Sequence, residues 1–343
     1  MTGSGAPEPE LETFLVAHGL VRPGEAASWH ALAGGVSSDI WRVDLPGRSI
    51  CVKRARAQLK VSAEWRAPVS RNHYEWAWMQ FAARHCPENV PRPLAHDRQA
   101  GVFVMSYLAP EDHPVWKQQL MAGYVSMDTA REVGWLVGRL HARSAGSAEL
   151  AAEFDTTDNF YALRLEPYLL ATGARHLGVA AQLRQIAEDT AATRRALIHG
   201  DVSPKNILLG PRGPVLLDAE CAWFGDPAFD LAFCLNHLLL KCLVRLDRKD
   251  VLLAAFEVLA GSYFEHVHWE PRAELERRAA RLLPALFLAR VDGKSPVEYL
   301  TQRHQRDLVR ATAVPLLLQT VESLSDIVAA WRDALSGNQA GSG

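Results

Sequence analysis

The run His199-Gly200-Asp201-Val202-Ser203-Pro204-Lys205-Asn206, with Leu217-Asp218-Ala219-Glu220 shortly after it, spaces its acids and its amide as phosphoryl transfer requires. A phosphoryl group passing through a loose transition state needs little covalent help. It needs an oriented hydroxyl and neutralised phosphate charge. Asp201 is placed to orient or accept the proton of the hydroxyl. Asn206 can bring an amide oxygen back toward the phosphates, and Asp218 offers a hard anionic oxygen of the kind Mg²⁺ prefers. Either fragment alone reads equally as a polar turn or a helix start; their order and their flanking segments make the pattern specific.

Those flanking segments read as strands. Ala196-Leu197-Ile198, Ile207-Leu208-Leu209 and Pro214-Val215-Leu216-Leu217 are short apolar runs, the last two joined by a Gly210-Pro211-Arg212-Gly213 turn, so the polar groups emerge at strand ends. At these residues the chain resembles the aminoglycoside phosphotransferase and choline kinase superfamily, small-molecule relatives of the protein kinases, with His-Gly-Asp where protein kinases carry His-Arg-Asp. The resemblance extends through Gly225-Asp226-Pro227-Ala228-Phe229-Asp230-Leu231-Ala232, which in that family opens the helix after the metal loop. It implies an α+β, bilobal protein kinase-like fold with a small β-rich N-lobe and a larger, mainly helical C-lobe. It also implies ATP and Mg²⁺ as cofactors, Asp201 as the catalytic residue, Asn206 and Asp218 as metal ligands, and His199 and Asp230 as structural support. Asp230 is then a buried anchor for the catalytic-loop backbone, and Asp226 ahead of Pro227 reads as a helix N-cap.

An upstream lobe is legible too. After a weakly amphipathic helix (Leu11, Phe14, Leu15, His18) closed by Gly19, the segment from Trp29 to Arg54 reads strand, turn, strand, turn, strand. Its first turn, Gly34-Gly35-Val36-Ser37-Ser38, suits a phosphate-covering hairpin: the glycines let backbone approach phosphate oxygens and Ser37 and Ser38 can donate to them, although such a turn also serves as a plain hairpin. Ser49-Ile50-Cys51-Val52-Lys53 sets one lysine at the end of an apolar strand, where a kinase fold pairs it with the α- and β-phosphates. Glu75 is the expected partner of Lys53, with Glu64 second; Arg54, Arg56 and Lys60 read as solvated. Met105, Ser106, Tyr107 and Leu108 fit a hinge that holds adenine by backbone hydrogen bonds, or else a plain edge strand. The expected organisation is a flexible N-terminus over 1–10, the N-lobe over 11–108, the C-lobe over 109–336 and a flexible C-terminus over 337–343.

Composition agrees with an enzyme of small molecules. The 343 residues, 48% hydrophobic and 22% charged, can bury one large core or two unequal ones. They contain no uncharged apolar run of membrane length. A net charge of −2 and a pI near 6.7 leave no electrostatic footprint for nucleic acid. The expected partner is therefore a small-molecule hydroxyl acceptor, with no nucleic acid and no membrane, and the oligomeric state stays open with a homodimer among the options. Five dispersed cysteines (Cys51, Cys86, Cys221, Cys234, Cys242) argue against a disulfide framework and for a reducing, cytoplasmic compartment. The polar start Met1 to Pro7 does not read as a secretory leader. Cys234, His237 and Cys242 fall near one helix face, but their neighbours make it an apolar core helix and no CxxC pair accompanies them.

Helical periodicity dominates the second half, near 129–143, 159–170, 180–190, 229–243, 251–264, 272–289 and 306–331. His141 reads either as a buttress of the catalytic loop or as a favourable helix C-terminal contact. For the acceptor, the Asp218-Ala219-Glu220 metal loop and the run from Val52-Lys53-Arg54-Ala55-Arg56 through Trp65-Arg66 to Glu75 resemble 5-methylthioribose kinase, whose members phosphorylate the anomeric hydroxyl of a small sugar. That resemblance would make Glu220 a second acidic metal ligand. The chain departs from it by keeping Asn206 and by lacking an arginine pair within Ala289-Arg290-Val291-Asp292-Gly293-Lys294-Ser295-Pro296. Arg290, Asp292 and Lys294 interrupt an apolar helical run, as a substrate-facing segment or a helix-ending loop would. Trp223, with Phe224, either stacks on a substrate or packs the core.

The expected activity is ATP-dependent transfer of the γ-phosphate to a hydroxyl of a sugar, amino alcohol or related metabolite. The alternatives are an aminoglycoside antibiotic O-phosphotransferase, for which the mixed charges of the last third offer no concentrated acidic pocket, and a non-catalytic nucleotide-binding protein of the same fold. A peptide-directed kinase is disfavoured because the stretch from Asp218 to Asp230 is short for a peptide-docking activation segment.

Overall fold

Alternation of apolar and polar residues along residues 38–45 builds the first sheet. The computed structural model describes residues 9–32, 38–56, 70–319 and 321–340, without the side chains of 338–340. They divide into two compact units, residues 1–112 and 113–343. In the first, β1 (Ser28–Ala31), β2 (Ser38–Leu45), β3 (Arg48–Ala55), β4 (Pro93–Asp97) and β5 (Val102–Ser106) form one antiparallel sheet ordered β1-β2-β3-β5-β4. Trp41, Val43 and Leu45 alternate into a core shared with Val52, Val102, Val104 and the apolar face of α1 (Pro9–Ala17). The β2–β3 hairpin turns on Pro46-Gly47, where Gly47 takes φ +75°, a conformation that suits glycine. β5 lies inside the sheet, between β3 and β4, so the edge-strand alternative for Met105 to Leu108 does not hold for Met105 and Ser106, and Tyr107 and Leu108 lie beyond the strand. α2 (Arg71–His85) packs against β3, β4 and β5 and stacks Trp76 on His96 at 5.3 Å.

The second unit is helical around two short strand pairings and their loops. Its elements before the catalytic loop are α3 (Trp116–Ala122), α4 (Met127–Ser144), α5 (Ala148–Glu153), α6 (Thr157–Phe160), a π-helical stretch (Tyr161–Leu170), α7 (Ala171–Arg175) and α8 (Ala180–Ala192). β6 (Ala196–Ile198) pairs with β9 (Trp223–Gly225), and β7 (Ile207–Gly210) with β8 (Gly213–Leu216). Then follow α9 (Ala228–Cys242), α10 (Lys249–Phe264), α11 (Arg272–Asp292), α12 (Arg303–Leu318) and α13 (Leu324–Ala340). Every residue of α9 is buried, so it is the axis of the unit, as its nearly unbroken apolar run demands. All five cysteines are buried, and none of them is in a disulfide. Among the described residues no helix is long and apolar enough to cross a membrane.

Three local expectations change. The helix expected over 306–331 is two helices, because Ser323 and Asp326 make a reciprocal cap: the Asp326 N–H donates to the Ser323 hydroxyl at 3.3 Å and the Ser323 N–H to the Asp326 carboxylate at 3.2 Å. α13 then extends to Ala340, past the flexible end expected from 337, since Ile327, Val328, Trp331 and Leu335 bury its face and lengthening a formed helix is inexpensive. The segment 161–170 is π-helical, with Pro167 inside it.

α4 and α10 approach closely through glycine. A Cβ at Gly138 would lie 2.7 Å from the Tyr263 carbonyl oxygen and 3.2 Å from the His266 Cβ, whereas nothing lies within 4 Å of a Cβ at Gly261 on α10. Gly138→Ala should therefore destabilise the fold by about 1–3 kcal/mol through overpacking. Gly261→Ala should stabilise it by about 0.5–1 kcal/mol, the helix-propensity difference. Urea unfolding of the two variants side by side tests this; equal effects would remove the close-packing argument.

Candidate active site

The loop after β6 owes its shape to one carboxylate. Asp230, in the first turn of α9 and fully buried, accepts the His199 N–H at 2.7 Å on Oδ2 and the Gly200 N–H at 2.8 Å on Oδ1. His141 supports it from α4, with Nε2 3.2 Å from Asp230 Oδ2 and Nδ1 2.9 Å from the Tyr263 hydroxyl. The sequence left His141 between two roles; its geometry is that of a buttress. His199 is fixed as well. Its Nε2 donates to the Leu217 carbonyl at 3.1 Å, so Nδ1 is the ring acceptor and takes the Asp201 N–H at 3.2 Å. Burial pushes the His199 imidazole below its ordinary pKa, in keeping with a neutral ring that ties the catalytic loop to the strand end before Asp218. Gly200 takes φ +76°, and a Cβ there would meet the Cys221 carbonyl oxygen at 2.5 Å, which explains glycine between the histidine and the aspartate.

This frame presents Asp201, 3% exposed, with three donors converging on Oδ2. Asn206 Nδ2 donates at 2.8 Å, Arg164 Nη2 lies at 3.1 Å and Lys205 Nζ at 3.2 Å. Burial works to raise the Asp201 carboxyl; Lys205 and Arg164 outweigh it and hold the carboxyl below its ordinary value, while the nearby Asp218 charge works upward. A carboxylate whose folded pKa is depressed stabilises the protein above its unfolded pKa near 3.9, and that stability is lost as pH falls through the folded pKa. Arg164 was not visible as a site residue. It lies in the π-helical stretch, where its Nε also donates to the Gly200 carbonyl at 2.6 Å. One guanidinium thus holds both the backbone and the carboxylate of the loop.

The second acidic group follows β8. Asp218 is the only non-glycine residue described with positive φ, at 68°. That left-handed conformation costs a side chain roughly 1 kcal/mol and is tolerated best by Asp and Asn. Asp218 and Glu220 are both half-buried, and the Glu220 carbonyl accepts the Asn159 amide at 3.3 Å. Asn206 has committed its amide nitrogen to Asp201, which leaves its oxygen as the atom able to meet a cation. Among the described residues no group of three His, Cys, Asp or Glu side chains is arranged to hold a metal. Such a sparse oxygen set suits Mg²⁺, which keeps waters and takes one or two carboxylates together with phosphate oxygens.

In the first unit, Lys53 on β3 is 3% exposed and its Nζ lies 2.7 Å from Glu75 Oε1 on α2. Glu64 lies outside the described residues, as do Gly34, Gly35 and Ser37; Ser38 is buried and opens β2. Met105 and Ser106 belong to β5, where Ser106 donates its N–H to the Arg92 carbonyl at 2.9 Å. Tyr107 and Leu108 follow the strand end.

The expected substrate residues separate. Trp223 is not a substrate platform: fully buried, it stacks on Phe160 at 4.5 Å and donates from Nε1 to the Thr157 hydroxyl at 2.9 Å, because β9 pairs with β6 and turns the ring into the core. Phe224 is buried likewise. Asp292 is held by Arg310 at 2.6 Å and His176 at 2.7 Å. Burial opposes its charge, yet these contacts keep its carboxyl below the ordinary value, so it closes a helix junction. Lys294 pairs with Glu166 at 2.6 Å and is half-exposed. Arg290 is buried and contacts the Tyr168 hydroxyl at 3.2 Å.

Known proteins match this arrangement. A profile described as "Phosphotransferase enzyme family" matches residues 28–241, more than half of the chain. The methylthioribose kinase of Cronobacter sakazakii is 25% identical over 255 residues, covering 65% of this chain and 62% of that enzyme. The methylthioribose kinase of Pectobacterium carotovorum is 24% identical over 318 residues, covering 83% and 70%. The chain therefore spans roughly two thirds of the length of these relatives, somewhat less for the first. Among solved structures, an amicoumacin kinase in complex with AMP-PNP, Ca²⁺ and Ami has the same fold, with a TM-score of 0.52 at 13% identity over 93% of this chain and 98% of that one.

The anchor can be tested apart from any activity. Asp230→Asn turns an acceptor into a donor against two buried N–H groups and should cost about 2–4 kcal/mol. His141→Ala, which leaves both backbone bonds in place, should cost less. Chemical denaturation of the two variants decides: an Asp230→Asn cost under about 0.5 kcal/mol would mean that the loop is held by something else.

Proposed function

This chain belongs to the phosphotransferase enzyme family, and from that premise we propose that it is an ATP- and Mg²⁺-dependent kinase acting on a hydroxyl of a small molecule. The observation that carries the reading is the grip on Asp201. Three donors hold Oδ2, and Oδ1 is left for the acceptor hydroxyl. Lys53, fixed by Glu75, is the cation for the nucleotide phosphates. Tyr107 and Leu108, beyond the paired end of β5, offer the backbone groups for the base, with Met105 and Ser106 setting the strand end.

Asn206 and Asp218, with Glu220 as a further carboxylate, are the residues for Mg²⁺, which when bound neutralises phosphate charge. Asp201 orients the acceptor. The acceptor oxygen forms the new P–O bond as the bond from the γ-phosphorus to the bridging oxygen breaks. ADP leaves with that oxygen and its electron pair, and the hydroxyl proton passes by way of Asp201 to solvent. Because its carboxyl is held below the ordinary value, Asp201 is a weak base whose main contribution is orientation and charge. The matched relatives are named for methylthioribose, which makes that sugar the reference acceptor.

Asp201→Asn should lower turnover by a factor on the order of 10² to 10⁴ while nucleotide still binds. Asp218→Ala should instead weaken Mg²⁺-dependent nucleotide binding, read by calorimetry. Unchanged turnover in the first variant, or retained metal-dependent affinity in the second, removes the corresponding role. The wild-type rate should show no acidic limb from Asp201 between pH 5 and 8, since its carboxyl titrates below that range.

A further inference from the structure

Beyond the phosphoryl-transfer loops, the 113–343 unit holds two buried cations, Lys241 and Arg290, that have no carboxylate partner among the described residues. Lys241, in the last turn of α9, is 1% exposed, and among the described residues it forms no ion pair with a carboxylate. Its Nζ lies 5.0 Å from the centroid of Tyr299, and Lys117 of α3, which pairs with Glu298, approaches the same ring at 5.8 Å. Arg290 of α11, 8% exposed, bonds to the Tyr168 hydroxyl and to Ser295, with no carboxylate partner among the described residues. Arg290 and Arg164 share the Tyr168 ring, at 5.6 and 5.8 Å. Through Arg164 this cluster joins Asp201.

Polar atoms around it lack partners. His237 Nε2, Arg290 Nε and the Tyr299 hydroxyl are buried without a hydrogen bond. Burial, then the positive charges of Arg290, Lys241, Lys205 and Lys117, hold the His237 imidazole well below its ordinary pKa, in keeping with a neutral ring. A buried cation without an anion is costly, and each stranded polar atom adds to that cost. Groups arranged so unfavourably in the free protein are satisfied when a ligand supplies what they lack.

We propose that these side chains form the acceptor pocket of the kinase and that the phosphorylated molecule is a hydroxy compound bearing an oxyanion group, a carboxylate or a phosphate. The proposal rests on the kinase reading above and names its substrate class. Lys241 and Arg290 bind the oxyanion, with Lys117 and Tyr299 beside it, while Asp201 takes the hydroxyl. An uncharged sugar leaves the two cations unbalanced. A cationic amino alcohol or aminoglycoside meets like charge. The state of Lys241 in the free protein agrees with this: burial first, then Lys117 and Arg290, push its ammonium down to about 7, against the opposing pull of Glu298 and Cys234. A bound oxyanion raises that pKa again, so binding takes up a proton above pH 7, and affinity is steady below pH 7 and falls as pH rises beyond it.

The test measures Mg²⁺-dependent ADP release by the full chain on acceptors matched except for charge. Glycerol is compared with glycerate and glycerol 3-phosphate, and ribose with ribose 5-phosphate; methylthioribose, choline and an aminoglycoside are the uncharged and cationic references. Mg·ATP binding is measured by calorimetry in parallel. The expected result is turnover confined to oxyanion-bearing acceptors, the carboxylate and phosphate arms telling which group the pocket takes. Lys241→Met should raise KM for that acceptor by roughly 10- to 100-fold, the loss of a charge-assisted hydrogen bond, with a smaller change in kcat. Without acceptor it should leave thermal stability equal or higher, because it removes a buried cation; a lysine with only a structural role would lose stability instead. Preferred turnover of methylthioribose, choline or aminoglycoside overturns the pocket assignment and keeps the kinase. Absent Mg·ATP binding overturns the kinase reading itself. If ATP binds and no acceptor turns over, thermal shifts with glycerate, glycerol 3-phosphate and inorganic phosphate at pH 6.5 decide: stabilisation of wild type but not of Lys241→Met supports the pocket, and no stabilisation sinks it.

Discussion

The carboxylate of Asp230 accepts two consecutive backbone N–H groups, and the geometry of the catalytic loop depends on that one contact. It bends the chain at Gly200, where no Cβ would fit beside Cys221, and so aims Asp201 away from the strand end. The buried charge is bearable because each oxygen is met by a donor, with His141 and Tyr263 completing the network. Because Asp230 also belongs to the first turn of the fully buried α9, the loop inherits the rigidity of the core. The Asp201 carboxylate is thereby presented from a rigid scaffold.

Electrostatics repeats this logic at each functional position. Asp201 would be costly in isolation, and Arg164, Lys205 and Asn206 offset that cost on a single oxygen. Lys53 and Glu75 answer each other inside the first unit, a pair that an apolar replacement would match for stability. Asp218 holds a left-handed backbone that few side chains accept. Buried charge or strain thus gathers at Asp201, at the Lys53–Glu75 pair and at Asp218.

Much of this was legible because it is local. The strands flanking Asp201 and Asp218 and the hairpin before Lys53 follow from short-range alternation and motif spacing, and the Lys53–Glu75 pair from what the kinase resemblance implied. What failed was non-local. Trp223 directly follows the metal loop, and only the pairing of β9 with β6 turns its ring inward. Arg290 and Asp292 are neighbours in sequence, but their side chains find different partners, and Asp292 finds His176 and Arg310, which no local pattern announces. Arg164 escaped notice because the π-helical register breaks the 3.6-residue period from which its facing would be read; Pro167 within the helical run was the available signal. The Ser323-x-x-Asp326 cap was equally present and unread.

One helix carries both groups: the first turn of α9 holds Asp230, which shapes the loop, and its last turn holds Lys241, which we assign to the proposed acceptor pocket. A cation near a helix C-terminus meets the negative end of the macrodipole, which lowers the burden of burying it before any substrate arrives. Lys241 makes none of the bonds that fix the loop, so a side chain there can vary without disturbing those that Asp230 makes. A fold organised in this way can keep its loop geometry fixed while the charge of the acceptor pocket proposed above, and with it the class of molecule it would take, changes in the last turns of α9 and α11.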